Sequence, residues 1–159
     1  MENDVPVAPY FIQSGPKRSM SLEMLMLKDY SWLMTIKARM DAGLTSASKP
    51  NAFHRHLLWL VERGEDRVAK KLCPNCKKGI VRSFSHHYDG NRDHFRASCG
   101  ELRCRLLYAH PLKFSSILKF REPARPSIAR FFKEVFLPDC LILDDETLFR
   151  FFAEKSPAL

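Results

Sequence analysis

Four of the five cysteines lie within one short segment of the chain and form two pairs. Two residues separate Cys73 from Cys76, four separate Cys99 from Cys104, and 22 separate the two pairs. A structural zinc ion takes four tetrahedral donors, and two cysteine turns supply four thiolates if the chain between them returns to the same place. The spacing therefore predicts one structural Zn²⁺ ion bound by these four cysteines. Cys140 lies in an apolar stretch and is expected to be a buried thiol, not a fifth ligand.

The chain between the two pairs is expected to form a β-hairpin. Asp89 and Gly90 are typical of a two-residue type I′ turn, which needs a positive φ at both positions. A hairpin around this turn brings the cysteine pairs together at its open end and sets two phenylalanines opposite each other, which stabilises strand pairing. The expected register pairs Tyr88 with Asn91, Phe84 with Phe95, Arg82 with Ala97 and Ile80 with Cys99.

A thioredoxin-type redox motif is one alternative for the first cysteine pair. Such a motif needs its Cys-x-x-Cys at the start of a helix that follows a strand. Gly79 and strand-like residues follow the pair here, and this order disfavours a redox centre.

A metal-dependent nuclease of the His-Asn-His type is another alternative, because histidines and an asparagine lie between the cysteine pairs. Such sites place the first histidine and the asparagine on a hairpin with a long loop, and the last histidine on a following helix. The candidate residues instead cluster around one tight turn, which disfavours this interpretation. They are His86, His87, Asn91 and His94.

Two segments resemble parts of known protein families. The sequence Cys-Pro-Asn-Cys-Lys-Lys-Gly-Ile, a hairpin and a final Cys-x4-Cys over residues 73–108 resemble the C-terminal zinc ribbons of type IA topoisomerases. Lys77 stands where glycine is usual, and Phe95 lies one residue further from Cys99. Those ribbons bind single-stranded DNA or partner proteins, so the resemblance implies one of these two classes. Residues 12–23 and 28–33 are similar to the small C-terminal module of exonuclease X-type proteins. This resemblance implies a function that involves nucleic acids, and it assigns no catalytic residue to this chain.

Basic residues are concentrated around the predicted zinc site. The chain carries 26 basic and 18 acidic side chains, and residues 51–110 hold 12 of the basic and 6 of the acidic ones. Neutralising a zinc ion with four thiolates needs far fewer cations, so the surplus indicates a polyanionic partner. The cations are expected to hold phosphates and a tyrosine to stack on bases, without a base-specific code. The expected nucleic-acid-binding residues are Arg67, Lys70, Lys71, Lys77, Lys78, Arg82, Tyr88, Arg92 and Arg96.

Apolar periodicity and capping residues predict helices on both sides of the ribbon. Helices are expected to follow Ser21, Asp29 and Asn51, and to begin near Pro126 and Asp145. The phenylalanine-rich faces of the last two are expected to be core, and the acidic tail to dock on basic residues. The expected fold class is α+β, with small helical modules flanking a four-cysteine zinc ribbon. The expected modules are a strand-turn-helix unit at 1–46, a helix plus zinc ribbon at 51–110, and a helical C-terminal unit at 111–159.

Composition limits the class of protein. Apolar residues make up 45% of the chain, which is typical of a folded protein. No run of 18 apolar residues and no export pattern is present, so an intracellular protein, cytoplasmic or nucleoid-associated, without membrane contact is expected. The favoured function is non-enzymatic nucleic-acid binding, DNA or RNA, by a subunit of a larger nucleoprotein complex. A protein–protein adaptor with a structural zinc ion is the alternative, and the nuclease is the second alternative.

Overall fold

The computed structural model describes residues 5–43, 50–65, 67, 69–105, 110–111 and 126–155, with the backbone alone at 85–88, 110–111 and 126–128. The fold is α+β, as predicted. The helices are α1 (Leu22–Lys28), α2 (Tyr30–Gly43), α3 (Ala52–Glu65), α4 (Pro126–Phe136) and α5 (Asp145–Ala153), and the strands are β1 (Ser83–Tyr88), β2 (Asp93–Ser98) and β3 (His110–Pro111). A 3₁₀ turn covers Leu102–Cys104, and the sheet order is β2-β1-β3 with antiparallel pairing.

Local capping explains where three helices begin. The Ser21 hydroxyl accepts the Met24 N–H at 3.0 Å before α1, and the Asn51 side chain accepts the His54 N–H at 2.8 Å before α3. Asp144 accepts the Thr147 N–H at 2.8 Å before α5. Each side-chain oxygen satisfies a backbone donor that the first turn of a helix leaves unpaired.

The helices share one apolar core. Phe132 and Phe136 of α4 contact the Phe151 ring of α5, with ring centroids 5.0–5.8 Å apart within this group. The predicted core role of the phenylalanine-rich faces is confirmed. All three predicted modules contribute to this core, while their division at 46, 51 and 111 stays a prediction. The core includes Leu22, Leu25, Leu57, Leu60, Phe84, Phe132, Phe136, Phe151 and Phe152.

Two histidines of α3 lie inside the protein. The sequence places His54 and His56 off the apolar face, and the resulting expectation of surface residues is wrong because both are buried. His56 Nε2 lies 2.6 Å from Glu23 Oε1, and His54 Nε2 lies 2.8 Å from Asp41 Oδ1. Glu23 is itself buried and also accepts the Tyr10 N–H at 3.3 Å. Burial is tolerated because each ring finds a carboxylate on a neighbouring helix.

The hairpin forms, but its register differs by two residues from the prediction. Tyr88 pairs with Asp93, His86 with Phe95, and Phe84 with Ala97. The Asp89 carboxylate accepts the N–H groups of Asn91 and Arg92, each at 2.9 Å, and so closes a four-residue loop in place of a two-residue turn. Gly90 supplies the positive φ of 90° that this loop needs.

The hairpin packs on α4 through one aromatic ring. Because of the changed register, Phe84 and Phe95 are diagonal neighbours on one face and not directly paired. Both contact Phe131, whose centroid lies 6.2 Å from that of Phe84 and 4.4 Å from that of Phe95, the second pair being stacked. Phe131 therefore joins the ribbon to the helices.

Within the part of the chain that the structure describes, none of the helices combines the length and apolarity needed to span a bilayer.

Candidate metal centre

The first cysteine turn, residues 72–80, is closed by backbone hydrogen bonds. The Cys73 N–H donates to the Gly79 carbonyl at 2.7 Å, and the Lys77 N–H donates to the Cys73 carbonyl at 2.8 Å. Leu72 and Ile80 form an antiparallel bridge where the turn opens. Lys77 has a φ of 54°, in the left-handed region that favours glycine. Lys77 therefore follows the backbone path that a glycine would take.

The second cysteine turn, residues 99–104, follows β2 directly. Gly100 has a φ of 85° and reverses the chain, after which the 3₁₀ turn carries Cys104 back toward the first turn. The Cys104 N–H donates to the Glu101 carbonyl at 2.8 Å. The Asn75 side chain donates to the Cys104 carbonyl at 2.9 Å and ties the two turns together.

These two turns bring four sulfur atoms together. The Sγ atoms of Cys73, Cys76, Cys99 and Cys104 all lie within 4.8 Å of one another, and those of Cys76 and Cys99 are 3.8 Å apart. A tetrahedron with Zn–S bonds of about 2.3 Å has S···S edges of about 3.8 Å, whereas a disulfide needs about 2.05 Å. The separations therefore fit a shared metal ion. A centre with four protein thiolates leaves no open coordination position and is structural in type.

The environment of each sulfur differs. Backbone N–H groups of Gly79 and Lys78 donate to Cys76 and lower the pKa of its thiol to about 6. Burial raises the pKa of Cys104 to about 12, and the neighbouring cysteine sulfurs add to this effect. A divalent ion among the sulfurs reverses the effect on Cys104, because coordination deprotonates a thiol.

Two opposing effects act on the pKa of the Cys73 thiol. Burial acts to raise the pKa of its thiol, but N–H groups of Cys76, Asn75 and Cys99 outweigh this and lower the pKa. Donors from both cysteine turns thus stabilise a thiolate, which is the form that binds a metal.

Gly79 allows the two turns to approach. A Cβ atom at this position would lie 2.7 Å from the Cys99 Cβ and 3.3 Å from its Sγ. A side chain there would displace a metal ligand. The absence of a side chain at Gly79 therefore allows the close approach of the two turns.

The remaining candidate metal ligands lie elsewhere. The Cys140 thiol is half-buried and donates to the Ile142 carbonyl at 2.8 Å. His94 Nε2 lies 2.7 Å from Asp89 Oδ2 at the loop end of the ribbon. The side chains of His86 and His87 lie outside the described residues. Among the residues that the structure describes, the four cysteines form the only cluster of potential metal ligands.

Most of the predicted nucleic-acid-binding cations reach solvent. They surround the two cysteine turns and the hairpin, whereas the Tyr88 side chain lies outside the described residues. Arg103, Arg105 and Arg130 extend the exposed set, and Arg130 could not be assigned to it from the sequence because it lies on the distant helix α4. The exposed predicted residues are Lys70, Lys71, Lys77, Lys78, Arg82, Arg92 and Arg96.

Arg67 differs from the rest of the predicted set, because only 5% of it is exposed. Its guanidinium donates to the Glu154 carbonyl and lies 5.8 Å from the centroid of the Phe151 ring. Arg63 donates to the Ala153 carbonyl at 3.2 Å, and Lys70 Nζ lies 3.1 Å from Glu154 Oε2. These contacts satisfy the carbonyl end of α5, and cations are favourable there. Arg67 therefore has a structural role, and the end of α5 contacts Arg63, Arg67 and Lys70.

Comparisons with protein-family models, with curated proteins and with solved structures each give no significant match. The resemblances to topoisomerase ribbons and to the exonuclease module therefore stay hypotheses drawn from the sequence. What the structure establishes is a cluster of four cysteines that could hold a metal ion, at the base of a β-ribbon.

Proposed function

We propose that this chain is a non-enzymatic nucleic-acid-binding protein whose β-ribbon is held in place by one structural Zn²⁺ ion. The observation that carries the proposal is the charge around the metal centre. Residues 71–105 contain eight basic and three acidic side chains, and all eight basic ones are exposed. Such a surface attracts phosphates, and each phosphate contact releases condensed counterions from the nucleic acid.

The cations exceed what the metal centre itself requires. A zinc ion with four thiolates carries two negative charges, and neighbouring lysines and arginines can offset them. Of the three carboxylates in this segment, that of Asp89 already accepts two loop N–H groups and contacts His94. The remaining positive charge is available for a polyanion, either DNA or RNA.

A protein–protein adaptor is the second candidate, and exposed apolar residues favour it. Leu141 and Ile142, between α4 and α5, are 90% and 73% exposed, and Leu102 next to Cys104 is 83% exposed. Exposed apolar side chains of this kind are typical of surfaces that contact other proteins. They also agree with membership of a larger nucleoprotein complex.

Binding measured against salt concentration separates the two candidates. About six phosphate contacts give a slope near −5 in a plot of log affinity against log salt concentration, and apolar docking gives a shallow slope. The double variant Arg82→Glu with Arg96→Glu should lose binding, with little change in its unfolding midpoint because both side chains are exposed. The matched control is Arg39→Glu with Arg150→Glu, which reverses two exposed arginines on α2 and α5. Retained binding by the first variant would refute the proposal.

The nuclease alternative has a separate test. The metal-loaded protein is expected to leave single- and double-stranded substrates intact in the presence of added divalent ions. Cleavage that depends on such an ion and is lost in His87→Ala would establish the nuclease instead.

A further inference from the structure

A groove lies between the ribbon and α4. Its volume is about 430 Å³, within the range of sites that hold small molecules or single residues of a polymer. One wall is β2, the opposite wall is α4, and the first cysteine turn closes one end. The groove is therefore built by the metal centre and the helical core together.

Three cations from three elements line this groove. Lys71 belongs to the segment leading into the first cysteine turn, Arg96 to β2 and Arg130 to α4, and all three are exposed. They are separated by 25 or more positions along the chain, yet they line one cavity. Cations brought together in this way can hold successive phosphates of one strand.

The rest of the lining is apolar, apart from the carboxylates of Asp93 and Glu134 and the amide of Asn75. Phe95 and Ala97 are half-buried and offer apolar surface to the groove, and the buried ring of Phe131 stacks on Phe95 at 4.4 Å. The carboxylate of Glu134 lies on the same wall as Arg130, one turn along α4. A carboxylate only accepts hydrogen bonds at neutral pH, so it favours a ligand that presents a donor.

We propose that this groove holds a nucleotide of single-stranded nucleic acid and prefers bases that carry an exocyclic amino group. This inference depends on the proposed function and names the ligand of its basic surface. The cations hold the phosphates, the apolar lining contacts the base, and the Glu134 carboxylate accepts a hydrogen bond from the amino group. It revises the sequence-based expectation of binding without a base preference.

The lining favours a single strand over a duplex. A double helix keeps its bases stacked and paired inside and presents only their edges along a groove. A single strand can turn a base outward and place it against apolar and aromatic side chains. The groove combines cations with apolar surface, and a single strand combines phosphates with exposed bases.

The base preference is tested by comparing the binding of oligo(dC) and oligo(dU) of equal length. Cytosine presents an N4 amino donor where uracil presents the O4 acceptor, so only cytosine can donate to Glu134 through an exocyclic amino group, and the ring N3–H is the one donor on that edge of uracil. The wild-type protein, loaded with zinc, is expected to bind oligo(dC) about tenfold more tightly in fluorescence anisotropy at low salt. In Glu134→Ala this preference disappears, and affinity for oligo(dU) rises because a negative charge has been removed.

Arg130→Glu tests the groove independently of the base. We expect it to weaken binding of both oligonucleotides at least about tenfold, whereas Arg150→Glu on α5 leaves both unchanged. Lys71→Glu provides a second variant on the opposite side of the groove, in case Arg130→Glu alters folding. Unfolding curves of each variant are recorded alongside the binding measurements.

The binding measurements separate the groove, the base preference and the proposed function. If the wild-type protein binds both ligands and Arg82→Glu weakens binding but Arg130→Glu and Lys71→Glu do not, the groove is overturned while nucleic-acid binding stands. Equal affinity for oligo(dC) and oligo(dU) overturns the base preference. Absence of binding to any nucleic acid overturns this inference and the proposed function together.

Discussion

Replacing Gly79 by alanine should weaken metal binding while leaving the helices nearly intact. The new Cβ would lie 2.7 Å from the Cys99 Cβ, a separation that ordinary packing does not allow. Since the neighbour is a metal ligand held by its own turn, the two cysteine turns must move apart. Overpacking of this kind costs roughly 1–3 kcal/mol.

The strain is greatest when all four sulfurs surround one ion, so it falls mainly on the metal-bound state. If the whole strain falls there, Gly79→Ala lowers zinc affinity about 5- to 150-fold. Competition with a chromogenic chelator measures this change directly. Gly43→Ala is the matched control, because a Cβ at that helix end meets no atom within 4 Å. Zinc affinity equal to that of the wild type in Gly79→Ala would refute the close approach of the two turns.

Three further substitutions test other parts of the structure. Lys77→Gly should stabilise the zinc-bound protein by up to about 1 kcal/mol in chemical denaturation, because glycine adopts a φ of 54° without strain, whereas Lys78→Gly should not stabilise it. Phe131→Ala should lower the free energy of unfolding by about 3 kcal/mol, because the buried ring contacts both the ribbon and the core. A loss below about 1 kcal/mol in chemical denaturation would contradict that packing. Glu23→Ala should lower the free energy of unfolding by about 3 kcal/mol, because His56 and the Tyr10 N–H lose a buried partner. A thermal unfolding midpoint unchanged from the wild type would show that this contact does not stabilise the fold.

Features that depend on local sequence could be predicted. The four cysteines, the hairpin between them and the caps at Ser21 and Asn51 depend on residues close together in the chain. Spacing and side-chain chemistry are sufficient in such cases. The α+β class followed from the same signals.

Features that depend on distant partners, or on a choice between two local turns, could not be predicted. The register changed because the Asp89 carboxylate accepts two N–H groups, which makes a four-residue loop more favourable than the two-residue turn that Asp-Gly suggests. His56 is buried because Glu23, 33 positions earlier, reaches its ring. Arg67 is buried because the carbonyl end of α5 packs beside it. The contacts of His56 and Arg67 exist only after the helices have packed, whereas those of Asp89 are local.

Helix α4 connects the candidate metal centre to the helical core. Phe131 stacks on the ribbon at Phe95, while its neighbour Phe132 lies in the core against Phe151. A ligand that binds only the folded state stabilises everything that unfolds with it, by mass action. With the proposed zinc ion bound, the supply of zinc would therefore help to set the stability of helices that never touch the ion, and a chelator would destabilise them.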